Sequence, residues 1–185
     1  MTEEHLHQLQ AELDGEFHYD ALPRMLYATD ASVYRERPLA VALPRTVADL
    51  QRLIHFAWKH RTSVIPRAAG TSLAGQCVGS GIVVDISKYF NQVLEVNERE
   101  GWVRVQPGVI RDELNEHLQP YGLFFGPNTS TANRAMIGGM VGNNSCGTTS
   151  MIYGSTRDHV LQLHAILSDG SEAVFHDLTP EAFRE

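Results

Sequence analysis

Two glycine-rich segments hold the residue types in this chain best suited to gripping an anion. The first reads Pro66-Arg67-Ala68-Ala69-Gly70-Thr71-Ser72-Leu73-Ala74-Gly75-Gln76. The second reads Ile137-Gly138-Gly139-Met140-Val141-Gly142-Asn143-Asn144-Ser145-Cys146-Gly147. Small side chains leave backbone N–H groups open to close approach, and Thr71, Ser72, Asn143, Asn144 and Ser145 add hydroxyls and amides. A single glycine such as Gly70 signals no more than a tight turn. The first segment goes beyond that, because a strand runs straight into Thr71-Ser72, and Gly75 with the Gln76 amide extends the polar surface. Two such segments in one chain predict a long, phosphate-bearing ligand held at two points. No Gly-Lys-Ser/Thr follows either segment, which argues against a P-loop. Neither matches G-x-G-x-x-G with its downstream acid.

The elements that must position these segments differ between the two halves. Leu6, Leu9 and Leu13 predict a helix over 3–13, and Tyr27 to Tyr34 an ordered polar arm. Leu39 to Leu43 reads as a buried strand closed by Pro44. Thr46 and Asp49 pair as a capping box, and Val47, Leu50, Leu53, Ile54, Ala57 and Trp58 form the apolar stripe of the helix they start. Val64-Ile65 leads into the first glycine segment, and 82–86 is a further strand. Together these make a small βαβ unit with a parallel sheet. Residues 93–96 and 102–105 flank a turn and predict an antiparallel hairpin. Ile110, Leu114 and Leu118 share one helix face, with Gly122 as its stop. Residues 160–167 and 173–175 flank an Asp-Gly turn in a second hairpin. The expected fold is α+β and two-lobed: an N-terminal helix and arm (1–24), a βαβ lobe (25–90) and an antiparallel-sheet lobe with flanking helices (91–185). Each lobe carries one glycine segment.

The chain has 185 residues, 43% hydrophobic and 20% charged, which suffices for one domain or two tightly joined lobes. A net charge of −7 argues against a nucleic-acid footprint. Cys77 and Cys146 are far apart and form no CxxC, so a disulfide framework is not supported and a reducing cytoplasm is the simpler setting. The acidic start Met1-Thr2-Glu3-Glu4-His5 carries no signal-peptide pattern. No run reaches the roughly 20 apolar residues of a membrane span, which leaves peripheral docking open. Nine histidines show no H-E-x-x-H and no tight cluster, so no metal site is expected. Cys146 reads as a small residue filling a tight space ahead of a reactive thiol, and Trp58 and Trp102 read as packing residues.

Residues 67–75 resemble the R-G-G-G-T-S-x-x-G pyrophosphate loop of the FAD-linked oxidases, the fold shared with vanillyl-alcohol oxidase and p-cresol methylhydroxylase. Ala68 and Ala69 stand where glycine is commoner. Gly126-Pro127-Asn128-Thr129-Ser130 and the 137–147 segment are similar to that family's second block, G-P-x-P-S then T-I-G-G-x-x-A-x-N-A-x-G. Asn128, Thr129 and Met136 depart from its commonest forms. Tyr153-Gly154 and Asp158-His159-Val160 match its Y-G-x-x-x-D-x-V close. Tyr27 to Tyr34 and Val41-Ala42-Leu43-Pro44-Arg45-Thr46 look most like the dehydrogenases of D-lactate, glycolate and D-2-hydroxyglutarate, some of which are fused to an iron–sulfur module.

The resemblance implies a PCMH-type FAD-binding domain serving hydride transfer from a D-2-hydroxy acid to flavin N5. It implies that Arg67, Ala68, Ala69, Gly70, Thr71, Ser72, Gly75 and Gln76 wrap the pyrophosphate. It implies that Pro127, Asn128, Thr129, Gly138, Gly139, Met140, Gly142, Asn143, Asn144, Ser145, Gly147, Gly154 and Val160 complete the cleft. Covalent members carry histidine at the position of Thr71, so threonine implies non-covalent FAD. The family's substrate-binding cap domain follows this region, and only 25 residues follow Val160 here. That is fewer than the roughly 40 of an independent fold. The expectation is an FAD-binding domain inactive alone, with no catalytic residue of its own and a cap domain or partner subunit supplying the rest. A non-catalytic FAD-binding or electron-transfer subunit, or a protein like the UDP-N-acetylenolpyruvoylglucosamine reductases, is the alternative.

Overall fold

The computed structural model describes residues 2–179; the last six positions of the expected second lobe and Met1 of the N-terminal segment lie outside the described residues. Helix α1 (Glu3–Glu12) buries Leu6 and Leu9. Strand β1 (Glu16–His18) and helix α2 (Ala21–Leu26) follow, neither of them expected from the sequence. A three-residue strand offers too few alternations to show a period. Pro23 sits in the first turn of α2, where a missing N–H is harmless.

Strand β2 (Ala40–Leu43), helix α3 (Val47–His60), strand β3 (Val64–Arg67) and strand β4 (Ile82–Asp85) complete the first lobe. The sheet order is β1-β2-β4-β3. Strands β2, β4 and β3 run parallel, and β1 pairs antiparallel with β2, setting Phe17 opposite Ala42. Residues 16–18 therefore belong to the sheet of the first lobe, although the sequence places them with an N-terminal arm. Strands β2 and β4 are buried at every position, as parallel strands covered on both faces must be. Leu6, Leu9, Phe17, Leu53, Ile82 and Val84 share one core.

Only half of the apolar stripe of α3 faces that core. Leu53 and Ala57 are buried, whereas Trp58 is 81% exposed and Val47 40% exposed. Val47, Ile54 and Trp58 lie on the same flank of the helix, about 100° or more around from Leu53. Trp102 is partly buried, with its indole N–H donating to Glu100 Oε2 at 2.8 Å.

Asp49 binds this lobe together. Its N–H donates to Thr46 Oγ1 at 3.1 Å, the first half of the capping box. Its carboxylate is fully buried and accepts from the N–H groups of Asp14 (2.9 Å), Gly15 (3.1 Å), Arg45 (2.9 Å) and Thr46 (3.3 Å), and from Arg52 Nη1 (3.3 Å). One side chain thus closes the start of α3, the end of β2 and the turn before β1. At that turn a Cβ on Gly15 would stand 2.3 Å from the Leu43 carbonyl oxygen, so the backbones meet only as glycine. Burial pushes the Asp49 carboxyl up, but the N–H donors outweigh it and hold it below the ordinary range.

The second lobe has its own core. Strand β5 (Val93–Asn97) and strand β6 (Trp102–Val105) form a hairpin, with Gly101 at φ 71° in its turn. Helix α4 (Arg111–Leu118) sets Leu114 and Leu118 against the valines of that hairpin, and Gly122 ends the following short turn at φ 66°. The second glycine segment, expected to be a loop, is helix α5 (Ile137–Asn143). A one-turn helix α6 (Ser150–Tyr153) follows. Strand β7 (Gln162–Ile166) and strand β8 (Glu172–His176) form the second hairpin through Asp169-Gly170. Among the described residues the two hairpins are separate sheets. The β7–β8 turn rests on α3, where Gln51 Nε2 donates to the Gly170 carbonyl at 3.0 Å.

Asp49→Asn leaves the volume and removes the charge. It is expected to lower the urea-unfolding free energy by about 3 kcal/mol, since four N–H donors keep only a weaker acceptor. Because the folded carboxyl titrates below its unfolded value, Asp49 contributes stability above the unfolded pKa of about 3.9 and loses it as pH falls through the folded value. Urea midpoints measured from pH 7 down to pH 3 should fall less for Asp49→Asn than for the wild type. Equal acid dependence would refute the assignment.

Candidate FAD-binding site

The first glycine segment leaves the carboxyl end of β3, beside that of β4, where open α/β sheets bind ligands. The N–H groups of Ala68, Ala69, Gly70, Thr71 and Ser72 donate no hydrogen bond among the described residues. All five residues are partly buried, and successive N–H groups without a protein acceptor are the donors an anion can take up. Gly70 (φ 65°) and Gly75 (φ 71°) take left-handed conformations that set the curvature. A Cβ on Gly75 would meet the Tyr34 ring at 2.6 Å.

The arm over 27–35 is ordered, as the sequence predicts, and it is tied to this segment. Ala31 N–H donates to the Gly70 carbonyl at 3.0 Å. Arg67 Nη1 donates to the Thr29 carbonyl at 2.8 Å, and its guanidinium lies 5.2 Å from the centroid of the Tyr27 ring. Cys77 is buried and its thiol points to Asp30 Oδ2 at 3.5 Å. Burial pushes that thiol up and keeps it protonated. Burial also raises Asp30, but the hydroxyl and N–H of Ser32 outweigh it and hold the carboxyl low.

The second segment becomes a helix because tertiary docking overrides its weak propensity. Ile137 N–H donates to the Val109 carbonyl (2.9 Å) and Gly138 N–H to the Pro107 carbonyl (2.8 Å). A Cβ on Gly138 would stand 2.4 Å from Pro107 Cβ, and one on Gly139 would stand 3.2 Å from Ala68 Cβ. Two of the three glycines thus admit protein contacts. Gly142 is exposed, with nothing within 4 Å of where its Cβ would be.

A chain of polar side chains joins the two segments. Ser72 Oγ donates to Gln76 Oε1 (2.6 Å), Gln76 Nε2 to Asn143 Oδ1 (3.1 Å), and Asn143 Nδ2 to Ser145 Oγ (3.3 Å). Asn144 ends α5 at φ 47°, and its Oδ1 accepts from Arg157 N–H at 3.0 Å. The Ser145 carbonyl accepts from Thr156 Oγ1 at 2.7 Å, fixing the chain that returns from the helix.

The remaining expected positions serve the frame. Pro127 is fully buried, and its carbonyl accepts from Arg111 Nε at 3.0 Å. Met140 is 2% exposed, on the inner face of α5. Gly147 packs on the Asn128 carbonyl oxygen, which a Cβ would approach to 1.5 Å. Gly154 ends α6 at φ 79° against the Asp158 carboxylate, and Val160 closes the short turn after it. The buried Thr129 Oγ1 has no hydrogen-bond partner among the described residues. Cys146 is exposed and fills no tight space, contrary to the expectation from the sequence.

Arg67, Ala68 and Ala69 line a cleft of about 330 Å³ together with Tyr27, Asp85, Ser87, Arg134 and Met136. None of these last five is among the site residues expected from the sequence, although Tyr27 and Met136 lie in the motifs it singles out. The Tyr27 hydroxyl donates to Asp85 Oδ2 at 2.7 Å, and Ser87 N–H to Asp85 Oδ1 at 2.8 Å. Burial first, and then the Asp85 contact, push the Tyr27 phenol up, so it stays protonated. The available signal was Asp85 itself, a carboxylate ending an apolar strand.

The FAD binding domain family matches residues 38–175, and the chain belongs to that family. The D-2-hydroxyglutarate dehydrogenase of Escherichia coli (strain K12) is 45% identical over 150 residues, covering 80% of this chain and 15% of that protein. Relatives at 36% identity are the glycolate oxidase subunit GlcD of Bacillus subtilis, covering 80% of this chain and 32% of that protein, and a mitochondrial D-lactate dehydrogenase [cytochrome] of Kluyveromyces lactis, covering 74% and 24%. Among solved structures, an alkyldihydroxyacetonephosphate synthase superposes with a TM-score of 0.82 at 21% identity, covering 96% of this chain and 35% of that one. Substrate-bound p-cresol methylhydroxylase gives 0.79 at 16% identity, covering 92% and 34%. The expected PCMH-type fold is therefore the observed one. The chain spans 15–17% of the length of the first D-2-hydroxyglutarate dehydrogenases it matches.

The donor set fits FAD: five free N–H groups suit a pyrophosphate, and Gly142 leaves room beside them. Two alanine substitutions separate frame from ligand surface. Gly147→Ala forces the Asn128 backbone aside and should lower the thermal midpoint by roughly 5 °C or more. Gly142→Ala meets nothing and should raise unfolding free energy by about 0.5–1 kcal/mol through helix propensity. Thermal scans of both ligand-free variants check this; equal midpoints would contradict it.

Proposed function

We propose that this chain is the FAD-holding part of a dehydrogenase for a D-2-hydroxy acid of the lactate, glycolate or 2-hydroxyglutarate type. The observation that carries it is the run of five unpaired N–H groups at Ala68–Ser72, joined to α5 through Gln76 and Asn143. The names and identities of the relatives support the substrate class.

In this reading the Ala68–Ser72 N–H groups, with the Thr71 hydroxyl, hold the pyrophosphate, and the Ser72 hydroxyl, which donates to Gln76, ties the loop to the chain that reaches Asn143. Arg67, Gly75 and Gln76 shape that loop. Gly138 and Gly139 bring α5 to it, Gly142 admits the cofactor, and Asn143, Asn144 and Ser145 present amide and hydroxyl edges. Pro127, Asn128, Thr129, Met140, Gly147, Gly154 and Val160 complete the frame, with the Thr129 hydroxyl free to accept a partner. FAD supplies a hydride acceptor at flavin N5. This chain's residues bind and orient it, and Thr71 offers no imidazole for a covalent link, so the attachment is non-covalent. Substrate contacts and the catalytic base come from a cap domain or partner subunit. An iron–sulfur module as a partner rests on the sequence resemblance, and a cytoplasmic setting on the two free cysteines. No helix among the described residues is long and apolar enough to cross a membrane. The lobe boundaries 25–90 and 91–185 are supported by the two separate cores, with β1 extending the first lobe.

Titration of the chain into FAD should quench flavin fluorescence stoichiometrically, and acid precipitation should release all the flavin into the supernatant. Gly142→Ala should weaken FAD by about tenfold, the equivalent of 1.4 kcal/mol, while stabilising the ligand-free chain. Absence of quenching by the wild type would remove the proposal. Flavin retained in the acid pellet would overturn non-covalent attachment alone.

A further inference from the structure

We propose that Arg67 is a positioning residue that braces the anion cradle at Gly70. This deepens the FAD reading and rests on it for the identity of the anion. The Arg67 side chain turns back against its own loop at the edge of the cleft. A Cβ at Gly70 would stand 2.5 Å from its Nη2 and 2.9 Å from its Cζ, so the guanidinium occupies the space against the middle of the Ala68–Ser72 run. On its other side Nη1 donates to the Thr29 carbonyl at 2.8 Å. The arm returns the contact, with Ala31 N–H donating to the Gly70 carbonyl at 3.0 Å. The Tyr27 ring lies 5.2 Å from the guanidinium carbon, and its hydroxyl is anchored on the buried Asp85 carboxylate.

The planar fork does what a point charge cannot. One nitrogen holds a fixed carbonyl and the other lies against the Gly70 turn, while the guanidinium carbon lies over an aromatic ring. The loop has no internal backbone hydrogen bond over Ala68–Ser72. Something outside the loop must hold its shape. Arg67 and the 27–35 arm are the groups that contact Gly70 and do so. The glycine at 70 is required by its φ of 65°, and a Cβ there would also displace the guanidinium from its place against the turn.

The test compares wild type, Arg67→Lys and Arg67→Met in the full chain by three measurements. Hydrogen exchange of the ligand-free protein should show faster exchange at Ala31, whose N–H bonds Gly70, in both variants, with amides of β2 and β4 unchanged. The urea midpoint should stay close to wild type, because the brace lies outside both cores. FAD and ADP should each bind about tenfold or more weakly to both variants, the loss expected for one hydrogen bond to a charged group, and lysine should rescue little. Lysine restoring affinity to within twofold, or unchanged exchange at Ala31, would overturn the brace. The exchange measurement decides it even if the wild type binds no FAD, an outcome that removes the cofactor reading instead.

Discussion

The site depends on one close approach between backbones. Helix α5 reaches the first glycine loop because its opening turn is seated on the 107–109 turn through two backbone hydrogen bonds. That seating needs residue 138 to lack a Cβ, which would lie 2.4 Å from Pro107. The 107–109 turn is itself fixed on the first lobe, since a Cβ at Gly108 would stand 2.6 Å from the Phe90 carbonyl oxygen and 2.9 Å from that of Ile86. The contact thus passes from the end of β4, through Phe90, Gly108 and Pro107, to α5 and its amides. Two of these links, at Gly108 and at Gly138, are close approaches that a Cβ would obstruct. Two lobes with separate cores are in this way held at a distance set by van der Waals contact, and the polar chain Ser72–Gln76–Asn143–Ser145 can close across them.

What was legible in the sequence follows the range of the interactions. The capping box at Thr46 and Asp49 is local, three residues apart, and the structure contains it. The other acceptor roles of Asp49, toward N–H groups 34 and 35 residues away, leave no local trace. Both hairpins and the αL stop at Gly122 were announced by their turn residues. The short β1 and the glycine-rich α5 were not, because the first is defined by its partner strand and the second by its seat. Trp58 misled because an apolar residue at helical spacing need not lie on the buried side.

The candidate site divides in the same manner. The loop 67–76 stood out because its chemistry is carried by backbone and small residues in one continuous run. Tyr27 and Asp85 did not, since they are 58 residues apart and meet only when the arm folds over the sheet. Pro127, Met140 and Gly147 appear in the motif for reasons of packing. The burial of Pro127 and Met140, and the packing of Gly147 on the Asn128 carbonyl, fit a frame-holding role for these positions.

Ala68 illustrates how such a frame absorbs change. Related loops carry glycine at this position, and a methyl here consumes space beside α5. The structure supplies that space from the other side, because residue 139 is glycine and a Cβ there would already stand 3.2 Å from the Ala68 methyl. One methyl group fits between the loop and the helix, and two do not without a shift. The positions therefore share one steric allowance: with alanine at 68 a Cβ at 139 fits only if the loop or helix gives by a few tenths of an ångström, whereas glycine at 68 would remove that contact. The small residues of the two segments are coupled across the cleft as a pair, and reading either loop alone conceals the constraint that joins them.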